Sequence, residues 1–366
     1  MPGISPGRFA AACAALALAG AGLGAQAPVL AQAAVAAQDK AAPFVRPDTA
    51  AYLEAFNART VPPLTRDVLE QLHKLPPEAM AAMAQQDLPV GEMAVEKDLE
   101  MAGPGGPIRL KLFDVRAERK PGPVMVFYHG GGYVLGSIVT HAGLAAEISR
   151  RLDLPVVSVE YRLAPENPFP AAIDDGEAAA RWVAANGAAL GLEVTGLVLA
   201  GDSAGGNLAL VTAAALRDAS AAVPVVLQLP IYPATDFAGI YPSQEAFAKG
   251  YALDATTMAL MTEHYAADPK DPRASPILGD LSGLPPTVLV TASLDPLRDQ
   301  GRAYGAKLIE AGVPVAFYEA KGLIHGFATY RKAIPSAQAE TEAFLALART
   351  MLDEVSAKKI DTIVSK

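Results

Sequence analysis

A chain of 366 residues allows one large domain with embellishments or two ordinary ones, and with 51% apolar and only 19% charged residues it can bury a substantial core rather than stay disordered. A formal net charge of −9 and the lack of any basic run argue against a nucleic-acid or anionic-membrane partner. The single cysteine, Cys13, cannot form an intrachain disulfide, and five histidines scattered without His/Cys ligand spacing argue against a metalloenzyme.

The first residues differ in kind from the rest. Arg8 precedes an Ala/Leu/Gly run from Phe9 to about Gly24, and no charge follows before Asp39. Positive start, short apolar stretch and small residues at a cut site form the plan of a secretory signal. Of the two cleavage-like sites, Ala25-Gln26-Ala27 would leave Pro28 at the new terminus, so Ala31-Gln32-Ala33 is favoured and residues 1–33 read as a signal peptide. The run is short and alanine-diluted for a hydrocarbon core of about 30 Å, so export is expected rather than a stable membrane anchor. A lipoprotein reading through Cys13 fails because the apolar run follows the cysteine.

Residues 34–90 are rich in Ala and Pro, with helical stretches at Thr49–Ala58 and Thr65–Lys74 broken by Pro62-Pro63 and Pro76-Pro77. Two strand-like runs follow, Met93–Met101 and Ile108–Val115, joined by a Gly103–Pro107 turn. Short apolar runs then alternate with helical stretches. The strands are expected at Val124–Tyr128, Pro155–Val159, Gly196–Ala200, Pro224–Leu229, Thr287–Thr291 and Val313–Tyr318. The helices are expected at Thr140–Leu152, Ala171–Asn186, Ala204–Arg217, Asp299–Ala311 and Ala337–Val355. Continuous apolar strands separated by helices predict an α/β fold around a mostly parallel sheet, eight-stranded once the two early strands are added. Residues 230–286 far exceed what one crossover needs and read as an insertion, which with residues 34–90 could cap the sheet's C-terminal edge.

Gly201-Asp202-Ser203-Ala204-Gly205 fits G-x-S-x-G between a strand and a helix. The glycines let strand become helix within about two residues, and the serine then projects at the positive end of a helix dipole. The N–H of Ala204, next after the serine, points to a donor for a developing oxyanion. His129-Gly130-Gly131-Gly132 follows a strand end, where backbone N–H groups without Cβ obstruction can serve the same oxyanion. His129 itself reads as a structural residue holding this loop. Asp295 and His325 each follow a predicted strand, so they share an edge with Ser203, and the chain order is Ser, Asp, His. His325 is the expected base and Asp295 its orienting acid; Asp299, one helical turn on, is the rival acid. Asp202 is read as a brace for the turn, Glu160 to Arg162 with Glu166 as a structural network, and Trp182 as helix-on-sheet packing.

These segments resemble the bacterial hormone-sensitive-lipase-like esterases, which have the α/β-hydrolase fold. The resemblance spans residues from about 90 to 350 and rests on His129–Gly132, Gly201–Gly206 (GDSAGG), Asp295–Asp299 (DPLRD) and His325-Gly326-Phe327. The Tyr161–Glu166, Phe169–Ala172 and Asp271–Pro276 segments are also similar to that family. It implies that Gly131 and Gly132 join Ala204 as oxyanion donors, that esters of short to medium acyl chain are cleaved without a cofactor or metal, and that the N-terminal helices form a cap. An exported N-terminus departs from many relatives. The resulting expectation is a signal peptide over 1–33, a cap region over 34–90 and a catalytic domain over 91–366, acting on a small-molecule ester in the periplasm or outside the cell. A homodimer is compatible with the sequence. An amidase, carbamate or lactone hydrolase with the same triad, or a non-catalytic binder on the same scaffold, are the alternatives.

Overall fold

A computed structural model describes residues 42–59 and 63–364. The signal peptide expected over 1–33 lies outside the described residues. The chain divides between residues 44 and 45, and everything below belongs to the second unit.

Strand β3 (Gly122–Tyr128) shows why the sheet is a central layer. Residues Val124 to Tyr128 are all fully buried. Alternate side chains leave opposite faces of a strand, so Val124, Val126 and Tyr128 enter one core cluster while Met125 and Phe127 enter the other. Eight strands build the sheet: β1 (Val95–Gly103), β2 (Gly106–Asp114), β3, β4 (Val156–Val159), β5 (Val194–Asp202), β6 (Val225–Ile231), β7 (Thr287–Leu294) and β8 (Val315–Ile324). Their order is β1-β2-β4-β3-β5-β6-β7-β8, with β1–β2 and β2–β4 antiparallel and the rest parallel.

Helices cover both faces. Helices α5 (Ala171–Ala185), α7 (Ala204–Asp218) and α10 (Arg298–Glu310) pack on the first cluster. Helices α4 (Ala142–Leu152) and α11 (Pro335–Val364) pack on the second. The chain passes from β3 through α4 to β4 on one side of β3, then returns through α5 to β5 on the other. Such a reversal opens a crevice at the C-terminal ends of the two strands, here beside Tyr128 and Gly201, which are register partners.

Three helices precede the sheet: α1 (Pro47–Asn57), α2 (Arg66–Leu72) and α3 (Pro77–Met83). The insertion carries α8 (Pro242–Ala246) and α9 (Ala255–Tyr265), and the short α6 (Gly187–Leu190) follows α5. Neither α6 nor α8 was expected, since four or five residues give no readable period. Strands β5, β7 and β8 also run beyond their apolar runs. In β8 the pairing continues past the apolar run through Glu319 and Ala320 and resumes at Ile324 after an irregularity. No helix among the described residues is long and apolar enough to cross a membrane.

The segment before β1 is tied to the helical layer by buried charge. Arg331, fully buried, makes a bidentate pair with Asp87 at 2.7 and 2.8 Å. Beside it, Glu147 of α4 accepts from Arg150, Arg151 and Gln338 of α11. Burial alone would push the Glu147 carboxyl up; hydrogen bonds from Arg151, Gln338 and Arg150, with the Arg331 charge, outweigh it and hold it at about 2 rather than 4.5. A depressed folded value means stabilisation that is complete above the unfolded value and is lost as pH falls toward 2. Glu147→Gln is therefore expected to be less stable than the parent at pH 7. Between pH 4.5 and 2 its urea midpoint should fall less steeply, by about one proton; parallel profiles would contradict this account.

Candidate active site

Ser203 sits between β5 and α7 with φ 56° and ψ −118°, a region sparsely populated by residues with a side chain. The surroundings hold it there. Its N–H donates to Ile231 O at 2.8 Å, and its carbonyl accepts from Asn207 N–H at 3.1 Å. A Cβ on Gly205 would lie 1.9 Å from Tyr128 O, and one on Gly201 would lie 2.3 Å from Gly205 O. Both glycines are thus required by close backbone approach, not by flexibility.

Strands β7 and β8 end in register at Leu294 and Ile324, after an irregularity between Ala292 and Leu294. The next residues on the two strands are Asp295 and His325. His325 Nδ1–H donates to Asp295 Oδ2 at 2.8 Å, and Ser203 Oγ–H donates to His325 Nε2 at 2.8 Å. An ionised carboxylate only accepts, so it fixes the ring tautomer and leaves Nε2 free to receive the serine proton. Asp295 is fully buried and also accepts from Leu297 N–H at 2.7 Å. Tyr232 lies against the imidazole with ring centroids 4.9 Å apart.

Asp299 stands apart from this relay. It accepts from Ser243 N–H at 2.9 Å, Arg298 Nε at 2.7 Å and Arg302 Nη1 at 3.1 Å. Burial pushes its carboxyl up, but the Arg298 hydrogen bond and the charges of Arg298 and Arg302 hold it below the usual value. It braces α8 instead of the histidine.

The glycine loop lies beside the elbow. Gly131 and Gly132 have φ 121° and 63°; a Cβ on Gly131 would meet Leu135 O at 2.1 Å, and one on Gly132 would meet Met261 Sδ at 2.3 Å. His129 is buried, donates from Nδ1 to Gly130 O at 2.8 Å and stacks on Tyr161 at 4.2 Å. Burial lowers its ring to about 3, so it is neutral and holds the loop. The surrounding network is structural as expected: Tyr161 OH donates to His129 O, Arg162 pairs with Asp175, and Glu160 faces Arg109. Trp182 is half-buried against the first core cluster.

Gly132, Ser203 and Ala204 open onto a cavity of about 510 Å³. Its walls come from the insertion, including Phe237, Leu253, Met258, Met261 and Tyr265, and from Tyr133 and Leu297. Residues 34–90, read from the sequence as part of a cap with the insertion, contribute none of their described residues to this lining. Helix α2 stands one layer behind, where Leu69 packs with Val134, Leu135 and Met261. His73 at its end donates from Nε2 to Val134 O at 2.7 Å. Sequence reasoning missed Tyr133 and Tyr232, because an aromatic residue in a loop carries no signal of what it faces. Tyr133 and Tyr265, 132 positions apart in the chain, stack at 3.7 Å.

Residues 125–329 match a protein family described as alpha/beta hydrolase fold. Esterase LipI of Mycobacterium tuberculosis (strain ATCC 25618 / H37Rv) is 39% identical over 262 residues, 70% of this chain and 82% of that one. The chain belongs to the bacterial hormone-sensitive-lipase-like esterases. It is also 36% identical to carboxylesterase NlhH of the same organism, over 81% of this chain and 92% of the relative. Among solved structures, the ester-hydrolase EH1AB1 from the metagenome of Lake Arreo superposes with a TM-score of 0.76 at 35% identity, covering 86% of this chain and all of that one. An esterase of Pyrobaculum calidifontis gives a TM-score of 0.73 at 37% identity, covering 84% and 99%. This esterase is accordingly a serine carboxylic-ester hydrolase.

The glycine packing gives a stability prediction. In this esterase Gly205→Ala must push its methyl into Tyr128 O, and overpacking of that kind costs about 1–3 kcal/mol. An unfolding free energy from urea titration that matches the parent would contradict the observed approach.

Proposed function

We propose that the esterase acts through an acyl-serine intermediate formed on Ser203, with His325 as general acid and base and Asp295 as its orienting partner. The observation that carries this reading is the unbroken pair of 2.8 Å hydrogen bonds from Ser203 through His325 to Asp295. Ser203 Oγ attacks the ester carbonyl carbon as its proton passes to Nε2 of His325. The carbonyl oxygen becomes an oxyanion that the N–H groups of Gly131, Gly132 and Ala204 would receive, a contribution worth roughly 3–4 kcal/mol of barrier per donor. Collapse of the tetrahedral species breaks the bond to the alkoxide, which takes the proton from His325 and leaves as the alcohol. Water then gives a proton to His325, attacks the acyl carbonyl, and releases the carboxylic acid while Ser203 regains its proton. Asp295 stays ionised throughout.

The apolar cavity wall supports acyl groups of short to medium length, since polar or bulky acyl groups would leave buried groups unpaired or unplaced. The same reading makes 91–366 the catalytic domain, with 34–90 and the 230–286 insertion as the cap. Two bonds between these segments support it: Asn57 Nδ2 to Gly250 O at 3.1 Å and His264 Nε2 to Leu64 O at 3.1 Å. The signal pattern over 1–33 supports export, with a mature N-terminus at Ala34 that terminal sequencing of the exported protein would read.

Ser203→Ala is expected to lower turnover of a chromogenic butyrate ester by about 10⁴-fold or more with the fold intact by circular dichroism. Turnover near the parent's would move the nucleophile elsewhere. Asp295→Asn, which presents the wrong tautomer to the serine, should cost about 10⁴ in kcat. Asp299→Asn should act mainly on thermal stability. The reverse ranking in kcat would exchange the two residues' roles.

A further inference from the structure

The proton relay leaves unused the buried carboxylate next to the nucleophile. Asp202, the last residue of β5 and the neighbour of Ser203, is 3% exposed. Its Oδ1 accepts from the Gly130 N–H at 2.8 Å and lies 3.4 Å from His141 Nε2. Gly130 immediately precedes Gly131 and Gly132 in the loop after β3. A Cβ at Gly130 would fall 2.5 Å from Asp202 Oδ2, so glycine is what allows the carboxylate to come this close. One carboxylate therefore joins the nucleophile's strand to the oxyanion loop's strand.

His141 completes the arrangement. The Thr140 hydroxyl accepts from the Ser137 N–H at 2.9 Å and lies 2.8 Å from His141 Nδ1. Asp202 lies at Nε2, and a carboxylate only accepts, so that nitrogen carries a hydrogen. The Gly130 N–H lies 3.3 Å from the same Nε2, but the carboxylate is nearer and takes that hydrogen. Burial pushes His141 down, yet the charge and hydrogen bond of Asp202 outweigh it and raise the ring above its ordinary value. Burial pushes Asp202 up, and the charge and hydrogen bond of His141 with the Gly130 N–H bring it below. Asp87 before β1 and Glu160 after β4 also act on His141; on Asp202 the other neighbours are His129, Tyr161, Tyr232 and Tyr330. An unpaired anion one residue from the nucleophile would repel an oxyanion forming there, and the Gly130 N–H and the His141 ring N–H that face the carboxylate offset that repulsion.

We propose that Asp202 is a positioning residue, whose carboxylate holds the Gly131 and Gly132 donors in place relative to the Ser203 hydroxyl, with His141 as the partner that orients it. The proposal rests on the reading of those glycines as oxyanion donors. It gives Asp202 a role in the transition state rather than in substrate binding, and it gives His141 one at a remove.

The test compares the parent with Asp202→Ala, Asp202→Asn and His141→Asn, active sites being counted with a fluorophosphonate. Rates are measured on a butyrate ester, and inhibition with butylboronic acid, whose adduct on Ser203 is tetrahedral. Loss of one oxyanion donor costs about 10²–10³ in kcat, so displacement of the loop in Asp202→Ala should cost about 10- to 100-fold, with KM nearly unchanged. Boronate affinity should fall in proportion to kcat/KM across the series. Asp202→Asn, which keeps an oxygen for the Gly130 N–H, should recover part of both. A kcat per titrated site equal to the parent's, or a kcat loss without loss of boronate affinity, overturns the role of Asp202. If Asp202→Ala does not fold, the same comparison is decided by Asp202→Asn and His141→Asn. A parent enzyme that hydrolyses the ester but binds the boronate no better than butyrate overturns the oxyanion reading itself, and the proposal with it.

Discussion

The lateral hydrogen-bond register of the parallel strands sets the distances in this site. Tyr128 pairs with Gly201, Asp202 with Ile231, and Leu294 with Ile324. Neighbouring strands lie about 4.8 Å apart, so residues that follow paired ends emerge side by side however far apart they are in the chain. That is how His325 meets Asp295 across 30 positions, and from there its ring reaches Ser203, which follows β5 with β6 and β7 in between. The reversal of strand order around β3 and β5 adds the crevice into which the glycine loop and the elbow both open. Fully buried apolar side chains on both faces keep the strands from sliding, because a slip of one residue would exchange the two core faces.

Four buried carboxylates near the helical layer and the strand ends show how environment divides labour among chemically equal groups. Asp295 faces an imidazole and a backbone N–H; Asp202 faces an imidazole and a glycine N–H; Asp87 faces a fully buried arginine; Glu147 faces two arginines and a glutamine. Each would be costly to bury alone and each is paired. Only the first is within reach of the nucleophile's proton. Asp299 lies in the same pentapeptide as Asp295, yet its helix directs it to Ser243 and two arginines.

The cavity depends on a different kind of contact. Its wall is made by α9 and the Tyr133–Tyr265 stack, and α2 supports that wall from behind through Leu69 and His73. The N-terminal helices and the insertion thus reach the site through side chains in contact with one another rather than through the sheet. Such packing has no fixed spacing in sequence. It is also the part of the fold most open to variation without disturbing the relay.

The α/β class, the strand and helix sequence, and the residues Ser203, Asp295 and His325 were legible in the chain itself. Apolar runs of strand length, glycines flanking Ser203, and polar residues just past strand ends are local signals with local physical causes. Where β8 ends was not legible, because ladder pairing continues through Glu319 and Ala320 and resumes at Ile324 after the apolar pattern stops. The partners that occupy Asp299, the service of Asp202 to Gly130 and His141, and the place of the N-terminal helices one layer behind the cavity wall were decided by tertiary structure alone. The reason is that each depends on which side chain another element presents a few ångströms away, and a sequence records neighbours along the chain but not across the sheet.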